Sequence, residues 1–573
     1  MPDESPPSDV LSFDLTCQRW LPVQYLDGTP GLLSIREVFE QAGQVRRLIG
    51  DVPTQEFALL RLLLAMVHDA LQGPADIDEW ADLWADDDCF APLSGYLEKH
   101  RGRLDLLHAT APFFQVAGLR TGRDEVFDLN RIVADVPNGE PFLSARMPAV
   151  GRIGFAEAAR WLIHAHAYDT SGIKTGVAGD DRVKGGKVYP LGVGWAGNLG
   201  GVFAEGATLR ETLLLNLIAA DTTDLHVGSD DRPAWRREAC GPGATAQAAL
   251  AQRPSGVRDL YTWQTRRLRL HFDAEGVHGV VLGYGDPLTP HNRHESEPMT
   301  GWRRSQAQEK KRGEALVYMP REHDPARQAW RGLAALIADR VPGTAQGSEP
   351  AASLRPGVLR WVARLATEGV LPRRYLIRAR VVGALYGTQQ SVIDDIVDDQ
   401  VAMAVVLLHR EHANHASVAI GAVTDAEACV SALGDLAGDL ARTAGRAPEP
   451  VRDAAREAGF GALDGPYRTW LAALGEAEDP HEQRTVWQRD VYRIVSRLGR
   501  QLLTGAGDAA WEGRMVESKK GSVWLNSSLA DRWFRGRLNT AVGAAFSSDA
   551  EAADAAGGTY ESDSDSSSPK VPV

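Results

Sequence analysis

The sequence predicts a two-part protein: a mixed α/β or α+β N-terminal domain, then an all-α C-terminal four-helix bundle. Three observations predict it. A chain of 573 residues exceeds the roughly 250 to 300 residues at which one hydrophobic core stops growing. Up to residue 390, short apolar segments of helical and of strand period alternate across Gly and Asp turns. From Ser391 onward the texture changes to long amphipathic stretches of helical period.

The elements follow in order. Residues 1–12 are acidic and rich in Pro and Ser and are expected to be disordered. The mixed domain spans 13–390. Within it Thr54–Gln72 has a helical apolar pattern, and Thr208 with Glu211 forms a capping box ahead of Leu213, Leu214, Leu215 and Leu217. Arg267–Phe272 and Val277–Leu282 read as strands. The bundle spans 391–545, with helices expected at Val392–Arg410, Asp425–Thr443, Pro466–Leu474, Glu482–Leu503 and Ser522–Thr540. In the first of these, Ile393, Ile396, Val397, Ala404, Leu407 and Leu408 share a helical face, with Asp394, Asp395, Asp398 and Asp399 largely off it. Residues 546–573 form an acidic, Ser-rich tail, also expected to be disordered.

Composition narrows the function classes. Hydrophobic residues at 44% and charged residues at 24% are those of a soluble globular chain. The apolar stretch Phe57–Leu71 is broken by Arg61, His68 and Asp69 and is too short to span a bilayer, so no membrane helix is expected. The acidic N-terminus is the reverse of a secretory signal, which makes the cytoplasm the expected location. Cys17, Cys89, Cys240 and Cys429 are far apart and read as buried thiols, neither a disulfide framework nor a zinc knuckle. A net charge of −14 argues against indiscriminate binding of polyanions. Basic residues nevertheless cluster at Arg232–Arg237, Arg266–Arg269, Arg303–Arg312 and Arg373–Arg380, and such clusters can gather into one groove for an anionic ligand.

No catalytic constellation emerges. Gly192-Val193-Gly194-Trp195-Ala196-Gly197 matches the dinucleotide string G-x-G-x-x-G, but it runs on into Asn198-Leu199-Gly200-Gly201 and not into a helix. Val188 after Gly186-Lys187 removes the hydroxyl that a P-loop needs for magnesium. His409, His412 and His415 fit no metal-ligand motif and read as a helix surface or C-terminus, so neither metal nor cofactor is expected. The segment Ser171–Gly206 holds eleven glycines among Lys174, Arg182, Lys184 and Lys187. Glycine at this density lets backbone N–H groups approach a phosphate or a base edge. Gly172–Gly186 reads as a flexible surface loop, whereas Tyr189, Leu191, Trp195 and Leu199 would anchor the remainder at a binding surface. Tyr386-Gly387-Thr388-Gln389-Gln390-Ser391 forms a polar turn whose two amides can reach bases.

The order of several segments resembles the CasA family, the large subunit of the type I-E CRISPR Cascade surveillance complex. They are Phe13-Asp14-Leu15-Thr16 with Trp20-Leu21-Pro22-Val23, Pro112-Phe113-Phe114-Gln115-Val116, Gly192–Gly201 running into Leu209-Arg210 and Leu213-Leu214-Leu215-Asn216, Glu297-Pro298-Met299-Thr300, and Trp330-Arg331-Gly332-Leu333. The resemblance implies a protein that is not an enzyme. Its expected partners are guide RNA, a double-stranded DNA target, the other Cascade subunits and a helicase-nuclease recruited after target binding. It implies recognition of a protospacer-adjacent motif in the minor groove by the loop around Gly192 and Gly194. It further implies strand separation by a glutamine wedge at Gln389, flanked by Thr388 and Gln390, and a guide-RNA handle contact near Phe142 and Ser144. Where family members carry a lysine finger this chain has no lysine between Lys187 and Lys310, and Arg293 is the candidate replacement. Two other classes compete: a nucleotide-dependent enzyme using Gly192–Gly197, and a helical scaffold that binds only protein.

Overall fold

The structure is a computed structural model that describes residues 11–134, 150–222, 225–338, 351–518, 521–543 and 545. Both termini expected to be disordered lie outside the described residues, apart from Leu11 and Ser12. The chain forms two compact units, Met1–Ala416 and Ser417–Val573.

In the first unit a central helix α1 (Pro53–Leu71) carries Pro at its first position and ends at Gln72 in the left-handed region. It is buried nearly all round, as its run of Phe57, Leu59, Leu60, Leu62, Leu63, Leu64 and Met66 requires. Against it packs α2 (Phe155–Tyr168), also largely buried. Strand β1 (Gly201–Glu205) precedes α3 (Leu209–Leu215). The Thr208 hydroxyl caps α3 by accepting from the Glu211 N–H at 3.1 Å, while the Glu211 carboxylate accepts from Ala207 N and not from Thr208 as a full capping box would. The two expected strands are β2 (Arg266–Asp273) and β3 (Gly276–Tyr284), which pair antiparallel as a hairpin.

The main correction concerns Val392–Arg410. This segment is strand β5 (Ile393–Ala404), paired antiparallel with β4 (Leu376–Tyr386), which in turn pairs with β1. Four β-branched residues, Ile393, Ile396, Val397 and Val401, favour a pleated surface, and a partner strand of eleven residues supplies the ladder. The helical spacing of these side chains is coincidental. Asp398 faces Arg380, whose guanidinium reaches it at 2.6 Å and Glu205 at 3.0 Å. The hairpin thus belongs to the first unit, and the division falls after Ala416, not at 390.

The His409–His415 run changes meaning accordingly. It follows the strand in two short turns and lies at the start of α4 (Ala413–Thr443), at the opposite helix end from the one expected. His409 Nδ1 accepts from Glu411 N at 3.1 Å. Among the described residues no group of three or more His, Cys, Asp or Glu side chains is arranged to hold a metal.

The second unit contains several long helices: most of α4, α5 (Pro448–Leu474), α6 (Pro480–Thr504) and α7 (Ser527–Val542). α5 begins eighteen residues before the expected Pro466, which it carries in its interior at the loss of one backbone donor. Ser522–Leu525 lies not in the last helix but in β7 (Gly521–Leu525), which pairs with β6 (Arg514–Ser518). α4 is long and apolar enough to cross a membrane by length and composition, yet its apolar residues Val418, Ala422, Val430 and Leu433 are core. Tyr467 Oη donates to the Ala419 carbonyl at 3.0 Å and Trp487 Nε1 to the Ala422 carbonyl at 2.9 Å, so two large aromatic side chains fix three helices together. Of the cysteines, Cys89 and Cys429 are buried as expected, whereas Cys17 is exposed in the turn that Asp14 caps and Cys240 is half-buried.

Burial lifts the Glu56 carboxyl to about 7, against which Arg380 and Arg47 pull only partly. The ordinary Glu value is near 4.3, so between these values the folded chain holds a proton that the unfolded chain releases. The contribution is complete below about pH 4.5 and is lost as pH rises through 7. Glu56→Gln is expected to remove a fall of about 1 to 3 kcal/mol between pH 5 and pH 8, read from urea midpoints of both proteins at the two pH values.

Candidate nucleic-acid interface

The glycine loop and the glutamine turn, about two hundred residues apart in sequence, are joined by one residue that sequence reasoning did not single out. Ser171 N donates to the Gln390 carbonyl at 2.7 Å, and Ser171 Oγ accepts from Gly192 N at 3.1 Å. Ser171 follows the end of α2, where Asp169 is the cap residue. Arg266, 2% exposed, donates to the Asp169, Thr170 and Gly192 carbonyls at 2.9, 3.0 and 3.0 Å and pairs with the Asp169 carboxylate. Lys174 adds an ion pair to the same carboxylate at 2.8 Å. Burial opposes the Asp169 charge, but Lys174 and Arg266 outweigh it and hold the carboxyl below its usual range.

Within the loop the glycines differ. Gly192 has φ +110°, is partly exposed, and has open space where a Cβ would stand. Gly194 is buried: its N–H donates to the Asp169 carbonyl at 2.8 Å, and a Cβ would overlap the Ala167 carbonyl. Its lack of a side chain serves packing against the end of α2, which corrects its reading as a surface contact. Gly197 lies beneath the Tyr386 hydroxyl, which donates to the Tyr168 carbonyl at 2.7 Å. Trp195 and Leu199 are the buried anchors, whereas Tyr189 at 62% and Leu191 at 37% exposure face solvent. The expected flexible part, Gly172–Gly186, is held: Lys174–Thr175 pairs with Lys187–Val188, and Arg182 donates to the Tyr284 and Gly285 carbonyls.

Thr388, Gln389 and Gln390 form the tip of the β4–β5 hairpin and are exposed. Gln389 and Gln390 have φ +57° and +55°, a left-handed pair that non-glycine residues rarely adopt. The turn is closed by Gln390 N to the Gly387 carbonyl at 2.9 Å and Gly387 N to the Val392 carbonyl at 3.1 Å. Both side chains are thereby projected from a constrained backbone.

Arg293 lies in the loop before Glu297. Its guanidinium is half-buried and makes no hydrogen bond or ion pair among the described residues, and burial lowers its pKa. Its link to the glycine loop runs through Glu297, whose N–H donates to the Arg293 carbonyl at 2.8 Å. The Glu297 carboxylate, 0% exposed, accepts from Arg61 at 2.9 and 2.8 Å and from Trp195 Nε1 at 2.7 Å. Phe142 and Ser144 lie outside the described residues. Three basic side chains expected to be available to ligands, Arg266, Arg267 and Arg380, are instead buried in ion pairs.

The dinucleotide string does not build its site. A short turn, Trp195–Asn198, follows Gly194, and the next element is a strand. The glycine amides are spent internally, Gly194 on Asp169 and Gly197 on Gly194.

The fold, a mixed α/β chain with a helical C-terminal region, is similar to that of solved Cse1 structures. The Thermobifida fusca Cse1 crystal structure matches with a TM-score of 0.87 and 59% identity, covering 93% of this chain and 98% of that one. Cse1 from Acidimicrobium ferrooxidans gives 0.77 and 31% over the same shares. The CasA/Cse1 protein of Thermus thermophilus is 27% identical over 390 residues, 67% of this chain and 69% of its own length. The family model for CRISPR-associated protein Cse1 matches residues 14–498. The chain belongs to this family, that of the large subunit of type I-E Cascade.

Replacing each loop glycine separates the two roles. Gly194→Ala is expected to lower the melting temperature by several degrees or abolish folding, since backbone must shift to admit the methyl group. Gly192→Ala is expected to cost only about 1 kcal/mol, the strain of its positive φ. Thermal melts of the two variants against the parent chain check this.

Proposed function

We propose that the chain inspects duplex DNA for the protospacer-adjacent motif and begins strand separation within a guide-loaded Cascade complex. The observation that carries this reading is the Ser171 bridge, which brings a partly exposed, Cβ-free backbone at Gly192 beside two constrained, exposed glutamines. A narrow minor groove admits backbone where a side chain would clash. A wedge at Gln389, flanked by Thr388 and Gln390, would stand where a base step opens and help offset an unstacking cost of a few kcal/mol. Gly194 supports the loop from within. Arg293 is the cation for the groove, since a half-buried guanidinium without a counter-ion among the described residues gains from a phosphate or a negative groove. Minor-groove reading does not separate A·T from T·A, so several motifs are expected to be accepted.

Family membership supports the rest of the reading. One structural neighbour is a chain of a CRISPR RNA-guided surveillance complex, 16% identical with a TM-score of 0.57. In this proposal the partners are guide RNA, contacted near Phe142 and Ser144, other Cascade subunits, the DNA duplex, and a helicase-nuclease recruited after target binding. The C-terminal helices act as a four-helix bundle, the chain performs no catalysis itself, and it works in the cytoplasm.

Binding of duplexes with and without a candidate motif to complexes carrying parent, Gln389→Ala or Gly192→Asp chain is the test. Each variant is expected to lower affinity for the motif-bearing duplex at least tenfold, leaving motif-free binding unchanged. Equal affinity for all three would leave the protein-only scaffold as the better account, and a melting shift of several degrees with millimolar NAD, FAD or ATP would favour the nucleotide-dependent enzyme.

A further inference from the structure

Two sequence features that the proposed function does not use meet in one cavity. Pro112–Gln115 and the basic cluster Arg232–Arg237 line a space of about 580 Å³ in the first unit. Small-molecule sites fall in the range of about 300 to 1,000 Å³. Part of the wall is aromatic and nearly buried: Phe113 stacks on Phe114 with centroids 4.3 Å apart and planes 7° from parallel, and Trp235 lies 6.5 Å from Phe113. Phe114 holds this wall from a backbone at φ +54°, a conformation that a bulky residue keeps only where its surroundings impose it. Here His166 does so, its Nε2 2.8 Å from the Phe114 carbonyl oxygen.

The lining is also cationic, and its arginines fall into two groups. Arg237 and Arg253 are fully engaged, both on Asp259, and Arg253 also stands over the Trp263 ring at 4.9 Å. Asp286 is likewise occupied, by Arg267 and by Thr245. Arg103, Arg232 and Arg236 are not. Among the described residues Arg103 Nε is buried with no acceptor, and only one of its nitrogens bonds, to the Arg237 carbonyl at 2.9 Å. Arg236 uses one nitrogen on Asp69 at 2.7 Å, and Arg232 pairs only with Asp230 among the described residues. Glu238 is the lining acid without an ion pair among the described residues, and it is exposed. The cavity therefore offers three guanidinium groups whose donors are not all used among the described residues. Forked donors around an enclosed volume of about 580 Å³ fit a phosphate ester of nucleotide size.

We propose that this cavity binds a phosphate ester of nucleotide size, with its phosphate among Arg103, Arg232 and Arg236. The ligand is either a free nucleotide or one unstacked nucleotide of a single strand. The site shares no residue with the Gly192 and Gln389 loops and stands independently of their proposed role.

The full chain is titrated at low salt with AMP, followed by calorimetry, and with a fluorescent single-stranded RNA decamer carrying 4-thiouridine, followed by anisotropy and photocrosslinking. Arg232→Glu and Arg103→Met are compared with Arg500→Glu, a control on α6. Binding of the decamer that weakens at least tenfold in both cavity variants but not in the control, with crosslinks in peptides containing Phe113 or Trp235, supports a strand as the source. AMP binding with the same dependence, and no such crosslinks, supports a free nucleotide. No binding by either probe, or equal weakening in all three variants, overturns the proposal.

Discussion

A carboxylate sealed from water must have its charge met by the protein, and Glu297 is the place where this requirement organises the first unit. Arg61 from the central helix meets it with two hydrogen bonds, and Trp195 from the glycine loop adds a third. Burial works against the Arg61 charge, while Glu297 more than compensates and raises the guanidinium pKa. Removing either partner would strand an uncompensated buried charge, a loss of about 3 to 5 kcal/mol. The core helix, the glycine loop and the stretch carrying Arg293 are thus fixed relative to one another by one ionic contact.

A second polar node at Asp169 continues the arrangement. Lys174 and Arg266 neutralise it, and Arg266 also gathers the carbonyls that close the end of α2 and support Gly192. Two neighbouring buried networks therefore determine where the loop lies, while its exposed part contributes little to its own placement. A loop rich in glycine needs such external support, because its backbone entropy opposes any single conformation.

Much of this was legible in the sequence, and the exceptions share a cause. Helix α1, the β2–β3 hairpin and the helices of the second unit follow from local periodicity and turn chemistry. Strand β5 does not, because Ile393, Ile396, Val397 and Ala404 satisfy a helical period by chance and its pairing partner is set by the tertiary fold. Pro466 misled in the other direction: its local preference for a helix start was overridden by packing of the longer helix. At the candidate interface, Gly192 and the glutamines were visible as residue types. Their junction was not: Ser171 is one serine among many, and only the fold places its hydroxyl and amide between two distant loops. Nor does any sequence pattern distinguish the open space at Gly192 from the crowded one at Gly194.

The distribution of crowding along the glycine loop also bears on how such a chain can diversify. Gly194, Gly197 and Gly200 are each closed in, by the Ala167 carbonyl, the Tyr386 hydroxyl and the Arg321 carbonyl in turn. Tyr189, Leu191, Gln389 and Gln390 project into solvent with little structural duty. Mutation can therefore alter the chemistry offered to a ligand at the rim without disturbing the frame that presents it. Substitutions at the rim would change its exposed chemistry, whereas a methyl group at Gly194, Gly197 or Gly200 would meet packed atoms.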